Sequence, residues 1–252
     1  MFRQFCVWLL ACGLSAPGLA GAASLQVAPT SITVQARRTA DGLKLDNTGT
    51  AGLHAQVRVF RWTQVDGEDV LEPTNDIVIS PPMIELPPGA QQLVRVVRLG
   101  PPPEKIEASY RVIVDELPVD ALPVVAGPAD QAADSAKGLQ FMLRYSVPVF
   151  LSPREGHAAF DLQTRVVRTD AGTWLEIGNQ GNGHAQIADL VFIDAHGRPT
   201  ALAPGLAGYV LPGQRKRWAL PTGYGTSAFG TFEARINGES QARALVRTAP
   251  GD

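Results

Sequence analysis

The residues able to carry chemistry are few and scattered. Four histidines, His54, His157, His184 and His196, lack a neighbour at metal-ligand spacing. His54 and His184 follow turn signals and read as strand-start or turn residues. Asp115-Glu116 is an adjacent carboxylate pair, but neighbours on a strand point to opposite faces and cannot jointly flank one bond. Rim or interdomain ion pairs suit them better. No G-x-S-x-G elbow occurs, and Gly225-Thr226-Ser227 does not reproduce one. The glycines of Gly178 to Gly183 lack the spacing and following helix of a phosphate loop. Gln214-Arg215-Lys216-Arg217-Trp218 sets a basic run beside an aromatic, yet the net charge of −2 provides no field for nucleic acid. A solvated strand face or protein-binding patch is the better reading. The chain is therefore read as a non-enzyme, with no catalytic residue, no metal and no cofactor.

Both cysteines, Cys6 and Cys12, fall in Met1 to Ala22, which has the layout of a secretory signal peptide. Arg3 gives the positive start, Phe5 to Leu14 the apolar stretch, and Ala20-Gly21-Ala22 the small-residue cleavage site. The apolar run is too short for a membrane span, so no membrane insertion is expected. After cleavage near Ala22 no thiol remains, and the core alone must stabilise an exported fold. The 252 residues include 25 glycines and 20 prolines. That is roughly 18% against about 12% in average usage, which disfavours helical bundles without reaching the level of low-complexity disorder.

The elements needed to position these residues are strands. Leu25 to Val34, Leu43 to Asp46, His54 to Val65, Ile77 to Ile79, Ile84 to Leu86, Gln91 to Leu99 and Tyr110 to Leu117 form a first series punctuated by turn residues. Asp66-Gly67 marks a hairpin. Leu117 to Gly138 is rich in Ala, Pro, Asp and Gly and reads as a long mobile loop. A second series follows Ser152-Pro153, which reads as a hinge. It comprises Phe160 to Val167, Thr173 to Ile177, Gln186 to Ile193, Ala207 to Leu211, Arg215 to Leu220, Phe229 to Ile236 and Ala242 to Arg247. The expected fold class is all-β, two Ig-like β-sandwich domains joined by a short hinge. The boundaries are 1-22 for the signal peptide, 23-152 for the N-terminal domain and 153-252 for the C-terminal domain. The two halves show no clear sequence repeat.

Leu139 to Leu151 is the longest strand candidate. Leu139, Phe141, Leu143, Tyr145, Val147 and Val149 form one apolar face by period-2 alternation. Pro148 removes a backbone donor and places this strand at an edge or a bulge. Two readings stay open: a strand inside its own sandwich, or an edge shared with a partner.

Taken together, several runs resemble the periplasmic pilus-assembly chaperones of the chaperone–usher pathway, in the branch called archaic. They include His54-Ala55-Gln56-Val57-Arg58-Val59-Phe60-Arg61-Trp62, Leu71-Glu72-Pro73-Thr74, Ser80-Pro81-Pro82, Pro87-Pro88-Gly89 and Gln92-Leu93-Val94-Arg95. Tyr110 to Pro118, Arg144 to Phe150, Asn179 to Ala185, Asp189-Leu190, Leu211-Pro212-Gly213-Gln214 and Ile236-Asn237-Gly238 extend the likeness over nearly the whole exported chain. The resemblance implies two Ig-like domains at an angle around a cleft, boomerang-shaped. It implies a periplasmic chaperone that binds pilin subunits by donor-strand complementation and delivers them to an outer-membrane usher. Leu139, Phe141, Leu143 and Tyr145 would be the donor residues. Better-known members hold the subunit's C-terminal carboxylate with an Arg in the first strand and a Lys in the donor strand. Here Leu25 to Val34 has no basic residue and the Lys position holds Pro148. Arg111 and Arg144 are the replacements suggested, since a guanidinium binds a carboxylate bidentately. The competing readings are an Ig-like pilus subunit or adhesin module, and a secreted β-sandwich hydrolase. Whether the free protein self-associates through the exposed edge is left open.

Overall fold

The computed structural model describes residues 25–118, 142–221 and 230–245. Among these every regular element is a strand, in two sandwiches each built from two sheets. The first sandwich holds β1 (Leu25–Ala28), β2 (Ile32–Val34), β3 (Ala40–Asn47), β4 (Leu53–Val65), β5 (Glu68–Pro73), β6 (Ile77–Ser80), β7 (Met83–Leu86), β8 (Gln91–Arg98), β9 (Ala108–Leu117) and β10 (Arg144–Leu151). One sheet runs β1-β3-β8-β6; the other runs β2-β10-β9-β4-β5, with β7 on β4. The second sandwich holds β11 (Leu162–Thr169), β12 (Gly172–Asn179), β13 (Ala185–Asp194), β14 (Pro199–Val210), β15 (Arg215–Ala219), β16 (Gly230–Ile236) and β17 (Arg243–Leu245). Its sheets run β11-β12-β15 and β14-β13-β16-β17.

The stretch expected as one first strand divides. Pro29 lacks the N–H to continue a ladder, so β1 pairs with β3 and the chain then crosses to pair β2 with β10 in parallel. Asp66 and Gly67 both take positive φ, the conformation of a two-residue hairpin turn, and connect β4 to β5. Alternation fills the two main cores. Leu43, Leu45, Val57, Val94, Val112, Val147 and Val149 are buried in the first; Leu175, Ile177, Ile187, Phe232 and Ile236 in the second.

The halves share a device that composition conceals. Asn47 Nδ2 donates to the carbonyls of Ala51 and Leu86, while its Oδ1 accepts from Gly49 N–H. Asn179 repeats this: Nδ2 donates to Gly183 and Val210, and Oδ1 accepts from Gly181 N–H. Each asparagine then exchanges backbone bonds with a proline–glycine turn, Asn47 with Gly89 and Ala90, Asn179 with Gly213 and Gln214. Gly89 and Gly213 both sit at φ 70°, where a Cβ is disfavoured. One buried amide thus closes the same corner of each sandwich.

A third, smaller core joins the two. Trp62, Phe150, Tyr209 and Leu211 are buried against one another. Parity explains how one strand serves two cores. In β4 the odd residues Leu53, Ala55 and Val57 face the first core, whereas the even residues Trp62 and Gln64 are buried toward the second sandwich. In β10, Val147, Val149 and Leu151 face the first core and Phe150 faces the junction.

Candidate functional site

The candidate site is the length of β10 and the strand beside it. β9 covers one side of β10 from Arg144 to Leu151. β2 covers the other side only at Val149, Phe150 and Leu151. From Arg144 to Pro148 that second side has no partner strand among the described residues. Ser152 N–H donates to Val34 on β2. Strand periodicity therefore aims the backbone groups of the even residues Arg144, Ser146 and Pro148 at the open side. The missing donor of Pro148 falls there, at the last position before β2 begins, which explains why proline is tolerated.

The apolar stripe continues past this open stretch. Val147 and Val149 are fully inside the first core, and Tyr145 and Leu143 lie partly buried at its margin. Tyr145 reaches across the mouth of the sandwich, its hydroxyl donating to the Leu25 carbonyl on β1. Burial raises the pKa of this phenol, helped by Glu116. Leu143 is tied to β9 at both backbone groups: its carbonyl accepts from Glu116 N–H at 2.9 Å and its N–H faces Glu116 Oε2 at 3.4 Å. Leu139 and Phe141, the other two donor candidates, lie outside the described residues. The regular strand begins at Arg144, where expectation placed its start at Leu139.

The two anchor candidates are not equivalent. Arg144 is engaged by Asp115, which also accepts from Arg58 at 2.6 Å. Partial burial alone would push the Asp115 carboxyl up, but hydrogen bonds from Arg144 and Arg58 outweigh it and hold the group below the usual carboxylate range. These residues line a groove of about 490 Å³ with Gln56, Glu116, Leu117, Pro118, Met142 and Leu143. Asp115 and Glu116 point to opposite faces, as alternation requires, and each makes its own local bond.

Arg111 sits deeper. It lies opposite Pro148 in the β9–β10 register, with its guanidinium 3.7 Å from the Trp62 ring centre and 5.3 Å from that of Tyr209. It donates to the Ser146 carbonyl at 3.4 Å, and among the described residues no carboxylate oxygen comes within 4 Å. Burial draws its pKa below the ordinary arginine value, and Asp69 acts against that. The cation is thus partly desolvated and has no direct carboxylate partner among the described residues, a suitable condition for an anion-binding group.

Several junction residues have no signal in a linear reading. Gln64 Nε2 donates to the Tyr209 carbonyl at 2.8 Å, and its Oε1 accepts from Leu211 N–H at 3.1 Å. His184, expected to be a turn residue, stacks on Phe150 with ring centres 3.5 Å apart and 3° between planes. Its Nδ1 lies 2.7 Å from Glu107 Oε1, whose side chain is buried. The one available clue is that large apolar groups fall on both faces, in β4 at Val59-Phe60 and in β10 at Val149-Phe150-Leu151. The basic run is spent internally: Arg215 and Arg217 pair with Glu176, and Lys216 reaches Asp69 in the first sandwich. Among the described residues no group of three or more His, Cys, Asp or Glu side chains could hold a metal, and no helix is long and apolar enough to cross a membrane.

Residues 24–157 match the model of the pili and flagellar-assembly chaperones, PapD N-terminal domain. The chain belongs to this family. The fold of the chaperone is shared with solved structures along its length. A chain of the Acinetobacter baumannii CsuC–CsuE chaperone–tip adhesion subunit complex, from archaic chaperone–usher Csu pili, is 22% identical. It aligns over 90% of the chaperone and 100% of its own length, with a TM-score of 0.71. The Salmonella enterica SafA pilin–SafB chaperone complex gives 20% identity, 88% and 96% coverage and a TM-score of 0.60. The Pseudomonas aeruginosa CupB2 chaperone gives 15% identity, 87% and 97% coverage and a TM-score of 0.57. Comparison with curated protein sequences gave no match.

Proposed function

We propose that this chaperone works in the periplasm, holding pilin subunits by donor-strand complementation and passing them to an outer-membrane usher, in the archaic branch of the pathway. The carrying observation is the half-open β10. Its Val149–Leu151 end is locked between β9 and β2, and its Arg144–Pro148 end offers an edge with no partner strand among the described residues, with apolar side chains that continue the core stripe. An incomplete sandwich added there gains main-chain hydrogen bonds from the edge and pocket contacts from alternate side chains. Leu143 and Tyr145 would enter that groove, with Leu139 and Phe141 extending the same stripe by parity. The complexes of CsuC–CsuE and SafA–SafB support pilins as the partner class.

A strand pairing with this edge must stop where β2 starts, at the level of Pro148 and therefore of Arg111. A C-terminal carboxylate ending there meets a guanidinium with no carboxylate partner among the described residues, which favours Arg111 over the already paired Arg144 as anchor. In this reading residues 1-22 are removed on export, 23-152 form the subunit-binding domain and 153-252 the second domain.

The test is co-expression with pilin candidates and measurement of the recovered complex. Replacing Leu139, Phe141 and Leu143 by Asp should abolish recovery, and Arg111→Ala should reduce it more than Arg144→Ala. Wild-type recovery from the triple variant, or no pilin captured by the native chain, would overturn the reading.

A further inference from the structure

The aromatic junction holds the Arg111 guanidinium as well as the two sandwiches. Arg111 stands on β9 of the first sandwich, but its head lies in a corner formed by one ring from each sandwich. Trp62 is 3.7 Å below it and Tyr209 is 5.3 Å to its side. The two rings meet edge to face, 5.4 Å apart at 80°, so the walls of the corner are nearly perpendicular. A planar cation held this way keeps its face on π-density and its N–H edge for other acceptors.

Tyr209 is itself held from both sides. Its hydroxyl accepts from Gln186 Nε2 at 3.0 Å, its carbonyl accepts from Gln64 Nε2 at 2.8 Å, and only 5% of the residue is exposed. Gln186, like Tyr209, belongs to the second sandwich and holds the hydroxyl, while Gln64 of the first sandwich holds the Tyr209 main chain, so the ring stands beside Arg111 when the two are docked.

We propose that Tyr209 is a positioning residue for carboxylate capture, fixing the Arg111 guanidinium so that a subunit's C-terminus is gripped more tightly while the sandwiches are docked. The inference rests on the reading of Arg111 as the anchor and adds that the second sandwich supplies half of its seat. A free arginine side chain must lose much rotamer freedom to bind an anion; one already held in a two-ring corner loses less. Removing the Tyr209 ring should therefore weaken carboxylate binding about three- to tenfold and leave strand pairing along the edge intact.

The experiment uses the full exported chain and the C-terminal peptide of the pilin that co-purifies with it, synthesised as free acid and as amide. Binding of both is followed by fluorescence anisotropy for the wild type, Arg111→Ala, Tyr209→Leu and Tyr209→Phe. The wild type should prefer the acid and Arg111→Ala should lose that preference. Tyr209→Leu should reduce the acid-to-amide ratio three- to tenfold with amide affinity unchanged, and Tyr209→Phe should restore it because the ring remains. An unchanged ratio in Tyr209→Leu, or an equal loss for both peptides, overturns the positioning role while leaving Arg111 in place. A ratio that survives Arg111→Ala, or no binding of either peptide, overturns the anchor reading beneath it.

Discussion

Replacing Gln64 by leucine should uncouple the two sandwiches. Its side chain spans the junction like a short piece of ladder, donating to the Tyr209 carbonyl and accepting from Leu211 N–H. Leucine keeps the volume and orphans both backbone groups in a buried place. Each such group costs about 1–3 kcal/mol, and leucine's added apolar burial returns a fraction, so the loss is about 2–4 kcal/mol of coupling. Each sandwich retains its own core, so unfolding ceases to be a single event and the less stable half melts first. With a urea slope of about 2 kcal/mol/M for a domain of this size, its midpoint should fall by about 1–2 M. Tryptophan fluorescence resolves the event because Trp62 lies in the junction and Trp174 and Trp218 lie in the second sandwich. Gln64→Glu is the companion variant. It keeps an acceptor for Leu211 but loses the donor to Tyr209 and places a second carboxylate beside Asp69, 2.9 Å from the present amide. It should be worse than leucine at neutral pH and recover toward pH 4. A midpoint that moves by less than about 0.3 M in Gln64→Leu would refute the ladder argument.

Three further outcomes follow from single contacts. Asn47→Ala and Asn179→Ala should each remove about 2–3 kcal/mol from their own sandwich, because each leaves at least two carbonyls unpaired; a neutral effect at either, read by denaturant titration, breaks the proposed equivalence. Asp115 is held below its unfolded pKa, so its ion pairs add stability above that value and lose it as pH falls through the depressed folded one. The wild type should exceed Asp115→Asn by less than about 1 kcal/mol at pH 7, given the exposed arginines, and the gap should close as pH falls below the ordinary Asp value of about 3.9. Val149→Ala should cost about 2 kcal/mol of stability with little effect on pilin capture once folded, whereas Leu143→Asp should do the reverse; matching effects of the two on both measurements would show that β10 is not divided as described.

Strand existence is legible wherever a sheet is wet on one face, since alternation is then enforced. That covers β3, β4, β8, β9, β12 and β16. Two strands escape for a shared reason. Glu68 to Pro73 carries charge and proline, and the first half of β14, Pro199 to Gly205, carries proline and glycine, neither with a period, and both are edge strands. An edge has a solvent-facing ladder side, so proline costs no bond there and side-chain pattern is weakly constrained. The asparagine corners escape because their meaning lies in bonds to carbonyls 39 and 31 residues away. The motif Asn-x-Gly and the proline–glycine turns are visible, but not that they interlock. Arg111 could be named as a basic residue near the donor strand; its seat could not, because Trp62 and Tyr209 are 147 positions apart and meet only through the docking of two domains.

The site and the fold are hard to separate because β10 changes environment along its length. At Val149 one face is sealed in the core, the opposite face at Phe150 is sealed in the junction, and both edges are paired. At Arg144 one edge is open and the side chain is exposed. A strand lent to a partner must be extended, correctly faced and in register before the partner arrives, or the partner's binding energy is spent on ordering it. Fixing one end by core, junction and β2 supplies that order and leaves the other end free to pair. The same arrangement limits the hazard of an open apolar edge, because among the described residues of β10 the unpaired stretch runs from Arg144 to Pro148 and proline ends it. Stability and binding are thus read from the same alternating stripe, graded from Val149 to Leu143, and the position of a substitution on that gradient decides which of the two it damages.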